Sequence, residues 1–202
     1  MAAVVIASKN DHKAKEIRQL LSGLAVEVLS LRDFPQAPDV VEDGATFAAN
    51  AMKKARAIAE FTGLTTLADD SGLEVDYLGG RPGVYSARFA GESATDGENN
   101  AKLLELMRGV PMESRTARFR CSIALVSQFG HTRWVDGICP GFILTEEKGA
   151  GGFGYDPLFQ VPGLGKTFAE LPDGEKNKIS HRGRALQAAL PIIQEWLDQG
   201  HI

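Results

Sequence analysis

Thr65-Thr66-Leu67-Ala68-Asp69-Asp70-Ser71-Gly72-Leu73 decides how this chain is read. Its first four residues are apolar or β-branched, the pattern of a short buried strand. The run then meets two adjacent carboxylates, a hydroxyl and a glycine. Ionised carboxylates buried without partners are costly. A pair at a strand end therefore points to a waiting counter-charge, most simply a divalent cation with oxygen ligands. Successive strand side chains face opposite sides of a sheet. Asp69 and Asp70 thus do not both reach one ion, and a second carboxylate has to come from elsewhere. The alternative is a polar turn after a strand, because Asp, Ser and Gly are ordinary turn formers.

Upstream, Glu42-Asp43-Gly44-Ala45-Thr46-Phe47 opens a helix over 46–61. Phe47, Ala51, Ala55, Ile58 and Ala59 form its apolar stripe, and Gly63 fits its stop. A helix of about 16 residues carries the chain about 24 Å away. A following strand of about 6 residues brings it back about 20 Å. Helix start and strand end therefore share an edge, where Glu42 can meet Asp70 and complete a metal pair. In open α/β sheets this carboxyl edge is where ligands usually bind. Asn50 and Lys54, one turn apart on the same helix, can face the same place; the alternative is an ordinary polar helix face.

Three further segments carry candidate chemistry. Ser8, Lys9, Asn10, Asp11, His12 and Lys13 join a first strand (Val4-Val5-Ile6-Ala7) to a helix over 13–21, and a helix start favours anions. The alternative is a capped helix with surface lysines. Gly151-Gly152-Phe153-Gly154-Tyr155-Asp156-Pro157 is a loop whose glycines let backbone approach a ligand. Phe153 and Tyr155 are placed to stack on a flat ring, and Asp156 can accept a hydrogen bond; the alternative is a loop whose aromatics plug the core. Finally Ser180 reads as an N-cap for a last helix, which puts His181 and Arg182 at its positive end, with Lys176 just upstream.

The remaining elements are a strand over 26–29, a strand over 73–78, a helix over 99–107 and a hairpin turning near Phe129-Gly130. The hairpin's first arm alternates Ala117, Phe119, Cys121, Ile123 and Leu125 with polar residues, which predicts one wet face. Helices and strands alternate around this hairpin, so the expected class is α/β with a mixed sheet, folded as one domain over 1–202. The 202 residues are 44% hydrophobic with a formal net charge of −4, which argues against a general nucleic-acid binder. No apolar run approaches a membrane span and no export signal is visible, so a cytoplasmic location is expected. Cys121 and Cys139 form no C-x-x-C motif; they are expected to be free thiols, each nine residues from Gly130.

Taken together these segments resemble the non-standard purine nucleoside triphosphate pyrophosphatases, the inosine/xanthosine triphosphate pyrophosphatase family. The match runs in order through Ser8-x-Asn10-x-x-Lys13, Glu42-x-Gly44-x-Thr46-Phe47, Asn50-Ala51-x-x-Lys54-Ala55 and Ala68-Asp69-Asp70-Ser71-Gly72-Leu73. It continues through Pro82-Gly83-Val84-Tyr85-Ser86-Ala87-Arg88, Gly152-Phe153-Gly154-Tyr155-Asp156-Pro157, and Lys176 with Ser180-His181-Arg182-Gly183. Ala49 stands where the family often has Glu, and Lys9 where a small residue is common.

The resemblance implies an elongated two-lobed α/β fold around a long mixed sheet flanked by helices, and a homodimer. It implies Mg²⁺-dependent cleavage of ITP, dITP or XTP to the monophosphate and pyrophosphate. By the same resemblance Asp70 is the general base and, with Glu42, a metal ligand, while Asp69 supports the site. Ser71, the loop over 8–13, Asn50 and Lys54 hold phosphates or sugar; Phe153, Gly154, Tyr155, Asp156, Lys176, His181 and Arg182 hold the base.

Overall fold

The computed structural model describes residues 2–202. Six strands and five helices follow one another as β1 (Ala3–Ile6), α1 (Asp11–Leu21), β2 (Glu27–Ser30), α2 (Phe47–Thr62), β3 (Thr65–Val75), α3 (Asp96–Leu106), β4 (Thr116–Val126), β5 (Thr132–Ile143), β6 (Phe159–Gln160), α4 (Asp173–Ile179) and α5 (His181–Asp198). The strands form one sheet in the order β2-β1-β3-β4-β5-β6. β1 runs parallel to β2 and β3, whereas β5 and β6 are antiparallel, so the sheet is mixed as expected. Among the described residues no helix is long and apolar enough to cross a membrane.

The chain divides into two units. The first comprises 1–70, 121–137 and 182–202; the second comprises 71–120 and 138–181. In the first, strand alternation sorts the core into two faces. Val4, Ile6, Leu67, Cys121 and Ile123 pack with Ile17 and Leu21 of α1 and with Leu186, Ile193 and Trp196 of α5. Val5, Ala7, Ala68, Ala124 and Val126 pack with Ala51, Ala55 and Ile58 of α2. Helices thus cover both faces of these strands.

That double cover corrects the expectation of a wet face along the first hairpin arm. Alternation holds through Arg120, and every residue from Cys121 to Val126 is buried. Ser122 is among them, its hydroxyl satisfied by Asp136. Both cysteines are buried free thiols.

The second unit has one core, built from Leu73, Val75, Leu103, Met107, Phe119, Ile143, Phe159 and Phe168 among others. Buried Arg115 braces it. Its guanidinium donates to the carbonyls of Met107 and Val110 beyond α3, and to those of Ile143 and Leu144 at the end of β5. Helix α4 (DGEKNKI) has no apolar periodicity that sequence reading could use.

The decisive correction concerns β3. The sequence predicts a strand that stops before the aspartates and a second one that starts at Leu73. A single strand instead runs through both aspartates to Val75, and a 3-10 turn (Asp76–Leu78) follows it. A strand can pass through two buried carboxylates only where lateral partners neutralise or hydrogen-bond them.

Candidate active site

The two aspartates inherit the alternation of β3. Asp69 follows Leu67 onto the face covered by α1 and α5; Asp70 follows Ala68 onto the face covered by α2. They are 1% and 5% exposed. Lys13 of α1 places its ammonium 3.1 Å from Asp69 Oδ2. Arg182, in the first turn of α5, donates to the same oxygen from Nη2 at 3.1 Å and Nε at 3.3 Å. Burial alone would raise the Asp69 carboxyl, but the charges of Lys13, Arg182 and Lys54 override it and hold the group far below the usual carboxylate range.

Asp70 has the opposite environment. Its partner on α2 is the neutral amide of Asn50, with Nδ2 donating to Oδ2 at 3.0 Å. Burial, joined by the like charge of Glu42, pushes the Asp70 carboxyl above its ordinary value against the pull of Lys54, Lys13 and the Asn50 bond. Two adjacent residues of one type are thereby separated chemically: one is a fixed counter-ion, the other a carboxylate with raised proton affinity. Such a split is a pattern that acid–base sites use.

Asn50 and Lys54 connect Asp70 to the segment before α2. Asn50 Oδ1 accepts from the Gly44 N–H at 2.7 Å, so a single amide spans Gly44 and Asp70. Lys54 Nζ donates to Glu42 Oε1 at 2.7 Å. Burial would depress the Lys54 ammonium; Asp69, Asp70 and Glu42 together raise it instead. Thr46 caps α2 by accepting from the Ala49 N–H at 3.1 Å, which fixes where the helix starts and hence where Asn50 and Lys54 point. The spacing argument that linked Glu42, Asn50, Lys54 and Asp70 thus finds all four in one unit.

Gly44 has no room for a side chain. A Cβ there would stand 2.6 Å from Asn50 Oδ1 and 3.0 Å from Ala49 Cβ. We expect Gly44→Ala to displace the Asn50 amide and lower kcat about ten- to a hundredfold with little loss of thermal stability. An unchanged kcat would show that Asn50 does not position Asp70.

The segment over 8–13 differs in detail from its expectation. Asn10 caps α1 by accepting from the Lys13 N–H at 3.1 Å, and Asn10 N–H is in turn taken by Ser8 Oγ at 3.2 Å. Lys9 pairs with Asp39 and Asp11 with Arg32, all on the surface, and His12 is exposed. Lys13 is directed at Asp69. A cavity of about 880 Å³ beside this segment is lined by Ser8, Lys9, Asp11, Arg18, Arg32 and Phe34 among others, and reaches neither aspartate.

In the second unit Asp156 organises the glycine-rich loop. Its Oδ2 accepts from the Phe153 N–H at 2.9 Å and from buried Lys176 Nζ at 2.8 Å. Lys176 Nζ also lies 4.8 Å from the centre of the Phe153 ring. A side chain at Gly152, whose φ is +72°, would collide with Asp156 Oδ2 at 2.1 Å. His181 is buried and stacks on Phe119, with centroids 4.7 Å apart and planes 12° apart. Ser71 is half-buried on β3.

Two members of the expected base-holding set have buried partners of their own within the protein. Tyr155 is 4% exposed and donates its hydroxyl to the Ser86 carbonyl at 2.8 Å. It anchors the loop in the core, the alternative its sequence left open. Arg182 is 2% exposed and held between Asp69 and Glu16. Its place is with the carboxylates of the first unit. Sequence reasoning missed Glu16 entirely, since a lone Glu on an amphipathic helix carries no signal of a buried partner.

A family model described as the Ham1 family matches residues 4–192. The chain belongs to the Ham1 family. It is 57% identical over 190 residues to the dITP/XTP pyrophosphatase of Desulforamulus reducens, covering 94% of each chain. It is 56% identical to the dITP/XTP pyrophosphatase of Geobacter sulfurreducens, over 92% of this chain and 94% of that one. Among solved structures, a Ham1 protein from Coxiella burnetii superposes with a TM-score of 0.88 at 43% identity, over 96% of this chain and all of the other. The Ham1 protein of Staphylococcus aureus gives 0.85 at 38% identity, over 96% of this chain and 98% of that chain.

Proposed function

We propose that this Ham1 chain is a Mg²⁺-dependent pyrophosphatase that hydrolyses ITP, dITP and XTP to the nucleoside monophosphate and pyrophosphate. In this role it clears such triphosphates before they enter DNA or RNA. The observation that carries the reading is the sorting of Asp69 and Asp70 onto opposite faces of β3, one neutralised by Lys13 and Arg182, the other held by a neutral amide. The names of the two bacterial relatives supply the substrate class.

The donor set suits magnesium. Among the described residues no group of three His, Cys, Asp or Glu side chains is gathered to cage a metal. Glu42 and Asp70 instead offer two carboxylates whose mutual repulsion contributes to the raised Asp70 carboxyl. Mg²⁺ uses such a set, binding through one or two carboxylates plus substrate phosphates. Held by Glu42 and Asp70, it would neutralise phosphate charge and favour the ionised form of Asp70. Asp70 then accepts the proton of the attacking water as the α–β anhydride bond breaks and pyrophosphate departs. Lys54 and Asn50 hold Glu42 and Asp70 in place; Lys13 and Arg182 keep Asp69 from competing as a base.

Selectivity belongs to groups that meet the purine. Hypoxanthine and xanthine present a 6-keto acceptor where adenine presents a 6-amino donor. A ring N–H of His181 donates to the former and opposes the latter, and the Phe153 ring supplies a stacking face. One base contact discriminates by roughly 1–3 kcal/mol, so rejection of ATP needs several groups left unpaired by the wrong ring, which reaches ~10⁴. We further propose a cytoplasmic homodimer; light scattering would then give twice the chain mass of 21.7 kDa.

One assay tests the reading. The purified protein is incubated with ITP, dITP, XTP, GTP and ATP, with Mg²⁺ or with EDTA, and the phosphate product is identified. We expect pyrophosphate from the first three, slow turnover of the others and none in EDTA. Orthophosphate would mark a phosphatase, turnover of dTTP or UTP with ITP inert would mark a pyrophosphatase for other nucleotides, and binding without turnover would mark a nucleotide-binding module. Glu42→Gln is expected to need about tenfold or more Mg²⁺ for half-maximal rate; an unchanged requirement would remove Glu42 from the metal pair.

A further inference from the structure

Helix α3 contributes nothing to the chemistry described above, yet two of its side chains hold the loop that carries Phe153. Asp96, in its first turn, accepts the Gly154 N–H on Oδ2 at 2.7 Å. Asn100, one turn later on the same face, donates from Nδ2 to the Gly154 carbonyl at 3.2 Å and to Glu147 Oε1 at 2.9 Å. Both backbone polar groups of Gly154 are thus taken by side chains of one helix. The two acceptors around Nδ2 fix the orientation of the Asn100 amide. Its Oδ1 is buried and has no hydrogen-bond partner. A buried acceptor left in that state costs stability, which the two bonds from Nδ2 offset by holding the loop. Gly154 itself sits at φ +60°, a conformation that needs holding and that side-chain-bearing residues avoid.

We infer that Asp96 and Asn100 are positioning residues for base selectivity. By clamping the Gly154 peptide from both sides they set the direction of the Phe153 ring and, through the adjoining Phe153 N–H and Asp156, the place of Lys176. This inference rests on the reading of residues 153–156 as the base-holding loop. The capping box of Thr95 and Glu98 fixes the first turn of α3, so the clamp is attached to a rigid end. The Asp70 centre lies in the other unit, and its own residues are untouched by the clamp. Loss of the clamp therefore weakens binding of the correct ring and leaves the chemical step in place.

The experiment compares Asp96→Ala, Asp96→Asn and Asn100→Ala with the wild type in steady-state kinetics on ITP and ATP with Mg²⁺. Asp96 is exposed, so its replacement leaves the core intact. For Asp96→Ala we expect KM for ITP to rise about tenfold with kcat within about twofold, and the ITP/ATP preference to shrink by a similar factor. Asp96→Asn keeps an acceptor for Gly154 N–H and restores both values. Asn100→Ala follows Asp96→Ala. If wild type itself shows no preference for ITP, the functional reading fails. If wild type discriminates and Asp96→Ala discriminates equally, or if Asp96→Asn is as damaged as Asp96→Ala, the clamp is wrong.

Discussion

Asp70→Asn is expected to lower kcat by about 10²–10⁴ at neutral pH while nucleotide binding persists. The amide keeps the shape of the side chain and can still meet Asn50, but it takes no proton from water. It also removes one of two charges that would hold the metal, so the Mg²⁺ requirement rises as well. The wild-type pH profile carries a second signature. Burial and Glu42 raise the Asp70 carboxyl above its ordinary value, so kcat/KM should fall on the acid side as that group gains its proton. The variant should lack this limb. Added Mg²⁺ favours the ionised form and should move the limb to lower pH. A variant with near-normal kcat would remove Asp70 from the role of base.

Asp69→Asn should act on stability first. Its carboxylate is the common partner of Lys13 and Arg182, and Arg182 is 2% exposed. Taking away one partner of a buried ion group leaves uncompensated charge and typically costs about 3–5 kcal/mol. Glu16 still engages Arg182, so we expect a loss near the lower end, ~3 kcal/mol, by urea denaturation at pH 7. The sign of the pH dependence follows from the lowered Asp69 carboxyl. The unfolded state holds its proton more tightly, so the stability contributed by this group is fully present above its ordinary pKa of 3.8 and is lost as pH falls below that value. The gap between wild type and variant should therefore narrow in acid. A difference under about 1 kcal/mol at pH 7 would show that the triad of Lys13, Asp69 and Arg182 contributes little.

How far the sequence speaks depends on whether a constraint is local. The period of a strand puts Asp69 and Asp70 on opposite faces, but only the family resemblance assigns their separate roles. The lengths of a helix and its returning strand, together with helical spacing, put Glu42, Asn50 and Lys54 within reach of Asp70. Partners across 113 positions, such as Arg182 and Asp69, have no such rule. Arg182 beside a histidine at a helix start reads as a ligand-binding cation, and its buried ion pair with Asp69 has no signal in the sequence. Tyr155 was ambiguous for a related reason: an aromatic in a glycine loop serves stacking or core equally until its hydroxyl is seen on Ser86. Asp96 and Asn100 were illegible because they act on the backbone of Gly154, and a peptide group has no sequence identity to match.

The ion triad around Asp69 also orders events in time. Lys13 and Asp69 are both made before Arg182, which stands in the first turn of α5. A ribosome must therefore add over a hundred residues after Asp69 before its guanidinium partner exists. Until then the chain carries a carboxylate on β3 without its guanidinium partner, and α5 has yet to cover that face of the sheet. The counter-charge of Asp69 is thus completed from more than a hundred positions downstream, and a chain cut before Arg182 lacks it even when every residue of the aspartate strand is present.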